Sequence, residues 1–290
     1  MDGPSHSRGH VGSRGAGYVD FVADRSPVRS SVERVQQMMN GHYGPLVFSY
    51  AAALMGWLLA NYYLSYVWRK EATSPFEQPW REFGFVILGL VGIVLMGLLW
   101  SAGIRLPESG TFGTFFAAIN QILIFAPIVV VPIIRGQSRQ DSWLPRGDII
   151  TRLLVGSVLS ITAVSVYSTS RVGADEPWFV FSRVWDVGNF DKMVQVFLED
   201  LTIAIMFVRL VKALDRKWAI VIVAVLFSAG HIPAMLSGGA TLADLGSLLI
   251  DAGLGVAVIS VLSRSGDILW FWFVHFSLDM VQFDAINGIG

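Results

Sequence analysis

The stretch GFVILGLVGIVLMGLLWSAGI, residues 84–104, decides the class of this protein. It carries no ionisable side chain. At about 1.5 Å per residue its helix would cross the roughly 30 Å hydrocarbon core of a bilayer. Seven further stretches qualify, at about 46–67, 112–134, 150–168, 192–211, 218–236, 243–263 and 268–284. Composition agrees with them. The 290 residues are 53% hydrophobic and 15% charged, with a mean hydropathy of +0.57, against about 25% charged in soluble domains. The expected fold is therefore all-α, a polytopic membrane helix bundle of about eight transmembrane helices. Pro127 and Pro132 predict a kink in the third. The acidic, aromatic connection 169–191 is expected to lie across the membrane surface. No internal repeat supports an inverted-repeat transporter.

Several function classes fall away. A net charge of −1 gives no reason to expect a nucleic-acid partner. The absence of cysteine excludes disulfides, thiolate zinc sites and a cysteine nucleophile. There is no GxxxxGK[ST] phosphate loop, no HExxH and no GxSxG turn. Residues 1–45 read as a disordered basic tail, with Arg8, Arg14, Arg25, Arg29 and Arg34 suited to anionic headgroups. A short helix is expected within it, since Ser30 and Glu33 have capping-box spacing. Residues 46–290 read as the transmembrane domain. The tail arginines favour a cytoplasmic N-terminus, whereas the basic loops 68–83, 135–149 and 212–217 would then lie outside.

Three polar intrusions interrupt the apolar segments: LED at 198–200, FSAGH at 227–231 and HFSLD at 275–279. Ionisable groups at a membrane helix centre cost roughly 2.5–3.5 kcal/mol on insertion scales, so their presence there implies a task. Phe227 and His231 share a helix face, with Gly230 allowing close helix approach and Pro233 loosening the backbone. His275 and Asp279 are also one turn apart, so the carboxylate can fix the imidazole tautomer. Glu199 and Asp200 project about 100° apart. If Glu199 faces a cavity, Asp200 needs its own donor on a flanking helix. Glu199 would suit a general base that later returns a proton to a leaving amine. The bland alternative at each place is an interhelical hydrogen bond. Asn120 and Gln121 are expected to bridge helices, and Asp251 either to pair with Arg209 or to line a cavity. Trp270, Phe271, Trp272 and Phe273 read as an interfacial anchor, and Arg209, Lys212, Arg216 and Lys217 as a helix-end flank.

FSAGHIP (227–233) and SGDILWFWFVHFSLD (265–279), preceded by Glu199-Asp200, resemble the CPBP intramembrane protease family. That family includes type 2 CAAX prenyl endopeptidases and bacteriocin-immunity proteins, and its marks are EExxxR, FxxxH and HxxxN or HxxxD. The resemblance covers roughly 190–283. It implies an intramembrane endopeptidase with Glu199, Asp200, His231, His275 and Asp279 as its catalytic set. Glu199 and His231 would activate water, and His275 and Asp279 would stabilise the oxyanion. A zinc held by Glu199, His231 and His275 is the metal-dependent version, with the metal-free one favoured. The implied partners are a membrane-associated peptide or protein substrate and the lipid bilayer, in a bacterial or archaeal plasma membrane. Two departures stand out: Asp200 replaces the second glutamate, and the arginine position holds Ala204. Arg209 lies about 13 Å beyond Asp200 along a helix, too far to stand in. A catalytically inactive scaffold or immunity protein is the alternative, and a proton-coupled transporter a more distant one.

Overall fold

A computed structural model describes residues 43–282, apart from 69–72, 74, 172–176, 238 and 240–243. The expected tail helix after Ser30 lies outside the described residues. Among those residues the chain is helical with no strand. It runs α1 Gly44–Tyr63, α2 Pro79–Ser101, α3 Gly113–Ile134, α4 Ile149–Arg171, α5 Pro177–Val184, α6 Phe190–Ala213, α7 Arg216–Ala229, α8 Ile232–Ser237, α9 Leu248–Ser265 and α10 Leu269–Met280. Each of the eight apolar segments contains helix. Among the described residues five helices, α1 to α4 and α9, are long and apolar enough to cross a membrane. α7 and α10 are shorter, at 14 and 12 residues, or about 21 and 18 Å.

The sixth segment is not one rod. α7 ends at Ala229, Gly230 and His231 turn, and α8 restarts with Pro233 in its first turn. Proline is tolerated there because that N–H has no intrahelical acceptor. A Cβ built on Gly230 would meet Phe227 O of its own turn at 3.1 Å, so this glycine serves the corner and not a neighbouring helix. α3 continues through Pro127 and Pro132. Pro127 seats against Gly92 of α2, where a Cβ would stand 2.5 Å from it. Small residues here let the two backbones approach, as is usual between membrane helices.

α6 is the central post. Every residue from Leu201 to Leu210 is buried, and the helix packs on α2, α3, α7 and α10. A helix enclosed on all sides can carry polar residues that lipid would refuse. Arg209 is one: it is fully buried, and its guanidinium donates to Ile205 O at 2.8 Å, to Asp141 O at 3.1 Å and to Gln137 Oε1. It belongs to the bundle interior rather than to a helix-end flank. Lipid instead meets the outer faces of α2, α3 and α4, where Leu88, Val91, Leu98, Ile133, Ile150 and Leu154 are exposed.

α10 is locked against α4. Gly156 brings the two backbones together, since a Cβ there would lie 2.6 Å from Trp270 O. Ser160 and Ser277 share a hydrogen bond of 2.6 Å at the same crossing. Before α10, Gly266 takes the left-handed conformation (φ 59°) that ends α9. Asp267 then accepts from Arg152 Nη1 at 2.7 Å and Trp68 Nε1 at 3.1 Å. The α10 aromatics are core. Trp270 and Phe271 are buried, and Trp270 stacks on Trp57 with centroids 5.3 Å apart. Trp272 donates to Met193 O at 2.8 Å, and Phe273 stacks on Trp185. The interfacial-anchor expectation is thereby corrected: these rings pack a short helix whose neighbours cover it on several sides. Asn120 clamps the preceding loop through Leu106 and Glu108 and does not join two helices.

Candidate active site

Three neighbouring helices bring the polar intrusions together. Glu199 and Asp200 leave α6 in different directions, as their spacing requires. Asp200 is fully enclosed, and its Oδ1 accepts from His275 Nδ1 at 2.9 Å. Glu199 is half-buried, and its Oε1 accepts from Gln195 Nε2, one turn earlier, at 2.9 Å. One carboxylate therefore orients an imidazole while its chain neighbour faces the site. The donor that Asp200 needs is His275; Arg209 bonds elsewhere.

On α10, His275 Nε2 stands 3.7 Å from Asp279 Oδ1. Glu199, His275 and Asp279 each offer a ligand atom within 4.8 Å of the others. His231 reaches the site from the α7–α8 corner. It is exposed, and its Nδ1 lies 3.1 Å from Phe227 O. Donating there leaves Nε2 with a free lone pair. The Phe227 ring stands edge-on to both imidazoles, with centroids 5.1 Å from His231 and 6.1 Å from His275.

A cavity of about 150 Å³ lies beside these groups; His231, His275, Asp279 and Asp251 line it, whereas Glu199 adjoins it through His275 and Asp279. Of Asp251's two expected roles, the lining one holds. The cavity's other walls come from α1, α6, α7, α9 and α10, and are largely apolar, as with Leu46, Val258 and Phe271. The space is large enough for several waters, and it presents basic nitrogen, carboxylate oxygen and apolar surface to one bound molecule.

Reading the sequence missed two groups. Tyr50 of α1 lines the cavity with its ring stacked on Phe271 at 6.3 Å, and its hydroxyl makes no hydrogen bond among the described residues. Nothing in α1 marks it, because only tertiary packing brings it to α10. Gln195 did carry a signal, a side-chain amide one turn before Glu199.

The donor set suits proton transfer at a polarised carbonyl: a carboxylate facing the site, an imidazole anchored through its far nitrogen, and a second imidazole across a small cavity. Among curated proteins and among solved structures nothing matches the chain. Residues 191–281, the region that holds all three motifs, match the family model described as type II CAAX prenyl endopeptidase Rce1-like. The match spans 91 of the 290 residues, so through this region the chain is similar to that family of membrane proteases.

Proposed function

We propose that this integral membrane protein is an endopeptidase that hydrolyses a peptide bond of a membrane-associated substrate by direct attack of water. The observation that carries the reading is the grouping of Glu199, His275 and Asp279 beside a cavity that His231 also lines. In this mechanism Glu199 and His231 bind the attacking water between them. As its oxygen bonds to the scissile carbonyl carbon, Glu199 takes its proton. His275, held by Asp200 on Nδ1, turns Nε2 to the developing oxyanion and donates to it when protonated. Asp279 orients that imidazole from the other side. Collapse of the tetrahedral intermediate breaks the C–N bond, and the proton on Glu199 passes to the departing amine.

The donor set also fits a divalent metal. Glu199, Asp279 and the His275 nitrogen facing Asp279 would hold it, with Asp200 bracing the imidazole. When bound there, zinc would polarise the carbonyl and acidify a water. His231 stands outside this clustered set.

The inactive-scaffold alternative drew its support from the missing arginine. The Asp200–His275 hydrogen bond gives that acid one partner in place of the arginine, while its Oδ2 is buried without one among the described residues. The test uses the full chain in proteoliposomes with a library of transmembrane and lipidated peptides. Glu199→Gln and His231→Ala are each expected to lower cleavage by about 10² to 10⁴-fold with the helical fold intact. Wild-type turnover in both variants would overturn the mechanism.

A further inference from the structure

Asp251 belongs to none of the three motifs, and the hydrolytic steps above give it no work. It lies on α9, half-buried, and makes no hydrogen bond or ion pair among the described residues. A carboxylate in a cavity with apolar walls attracts a cation far more strongly than one in bulk water, because little solvent screens it. The rest of the lining leaves that charge in place. Asp279 adds a second carboxylate, and no lysine or arginine lines the cavity among the described residues. His275 is engaged by Asp200 and Asp279, which leaves exposed His231 as the other basic side chain lining the cavity.

Two further polar side chains at this cavity have hydroxyls without a hydrogen-bond partner among the described residues. The Tyr50 hydroxyl is without a partner on a residue that is 8% exposed. Ser228, 3% exposed, lines the same cavity, and its Oγ has no hydrogen-bond partner. Buried polar groups without partners are rare and call for an explanation. A peptide segment seated here would meet the Tyr50 hydroxyl.

We propose that Asp251 is a specificity determinant, selecting substrates that carry a cationic side chain close to the scissile bond. This rests on the endopeptidase reading. Leu46, Leu254 and Val258 would meet the apolar part of such a side chain, since lysine and arginine both present a long aliphatic stem behind the charge.

The experiment compares peptide sets that differ only in Lys, Gln or Glu at each position flanking the cleaved bond. They are inserted in proteoliposomes with the full-length protein. The readout is the ratio of kcat/KM for Lys over Glu peptides, which does not depend on how much of a variant is folded. Wild type should favour Lys at one position by tenfold or more, Asp251→Asn should bring the ratio close to one, and Asp251→Lys should invert it. A ratio unchanged in Asp251→Asn overturns the proposal. Cleavage that is blind to charge yet lost in Glu199→Gln overturns this proposal and leaves the endopeptidase reading standing. No cleavage of any peptide by wild type overturns both.

Discussion

At the residue scale, adjacent Glu199 and Asp200 occupy two different environments. Asp200 is enclosed and oriented toward His275, whereas Glu199 faces the site with Gln195 behind it. Removing the Asp200 carboxylate leaves the imidazole free to rotate or to take the wrong tautomer. Asp200→Asn is expected to lower peptide cleavage by on the order of 10²-fold, while Asp200→Glu, which keeps the carboxylate, retains more activity. Equal turnover in Asp200→Asn and wild type would argue that His275 needs no anchor. Tyr50 permits a sharper separation of structure from function. Its hydroxyl has no protein partner to lose, so Tyr50→Phe should leave thermal stability unchanged or slightly raised. A hydroxyl that binds substrate predicts a fall in kcat/KM of about tenfold, or ~1.4 kcal/mol. Kinetics and a melting curve on the same preparation read both effects.

At the element scale, the short α10 holds its place through its crossing with α4. The Gly156 contact fixes how close the helices come, and α10 carries His275 and Asp279. Gly156→Val would force its side chain into the Trp270 carbonyl and move α10. A cost of about 1–3 kcal/mol in stability is expected, as for other overpacked cores, together with loss of cleavage. Gly253 on α9 is the matched control. A Cβ there meets nothing within 4 Å, so Gly253→Ala should be neutral or stabilising by up to about 1 kcal/mol. Urea or thermal unfolding in detergent distinguishes the two glycines. The break between α7 and α8 is the second element-scale device. It turns His231 off the end of a helix and into the cavity, where an unbroken rod would have carried it past.

For the whole molecule, buried ion pairs tie together segments far apart in sequence. Arg152 of α4 and Asp267 before α10 have side chains 6% and 0% exposed at 2.7 Å, and Trp68 joins them from beyond α1. Cutting one side leaves an uncompensated buried charge. Asp267→Ala should therefore cost about 3–5 kcal/mol, while replacing both partners by apolar residues of similar volume should recover most of it. A double-mutant cycle on the detergent-solubilised protein measures the difference; equal losses in the single and double variants would deny the pair this role. Around this framework α6 stands enclosed by α2, α3, α7 and α10, which explains how a helix with Glu199, Asp200 and Arg209 can sit inside a membrane bundle.

The sequence by itself determined the class of fold, because uncharged runs such as 84–104 have no stable home but a bilayer or a core. It also singled out Glu199, Asp200, His231, His275 and Asp279 as candidates, because ionisable side chains are costly in such runs. Asp200's need for a separate donor was legible too, since adjacent helical residues diverge by about 100°. Tertiary structure alone decided that the donor is His275, that Arg209 serves another network, that the α10 aromatics are core, and that Tyr50 enters the site from α1. Those outcomes depend on which helix lies beside which, and a one-dimensional pattern of polarity is the same for many such arrangements.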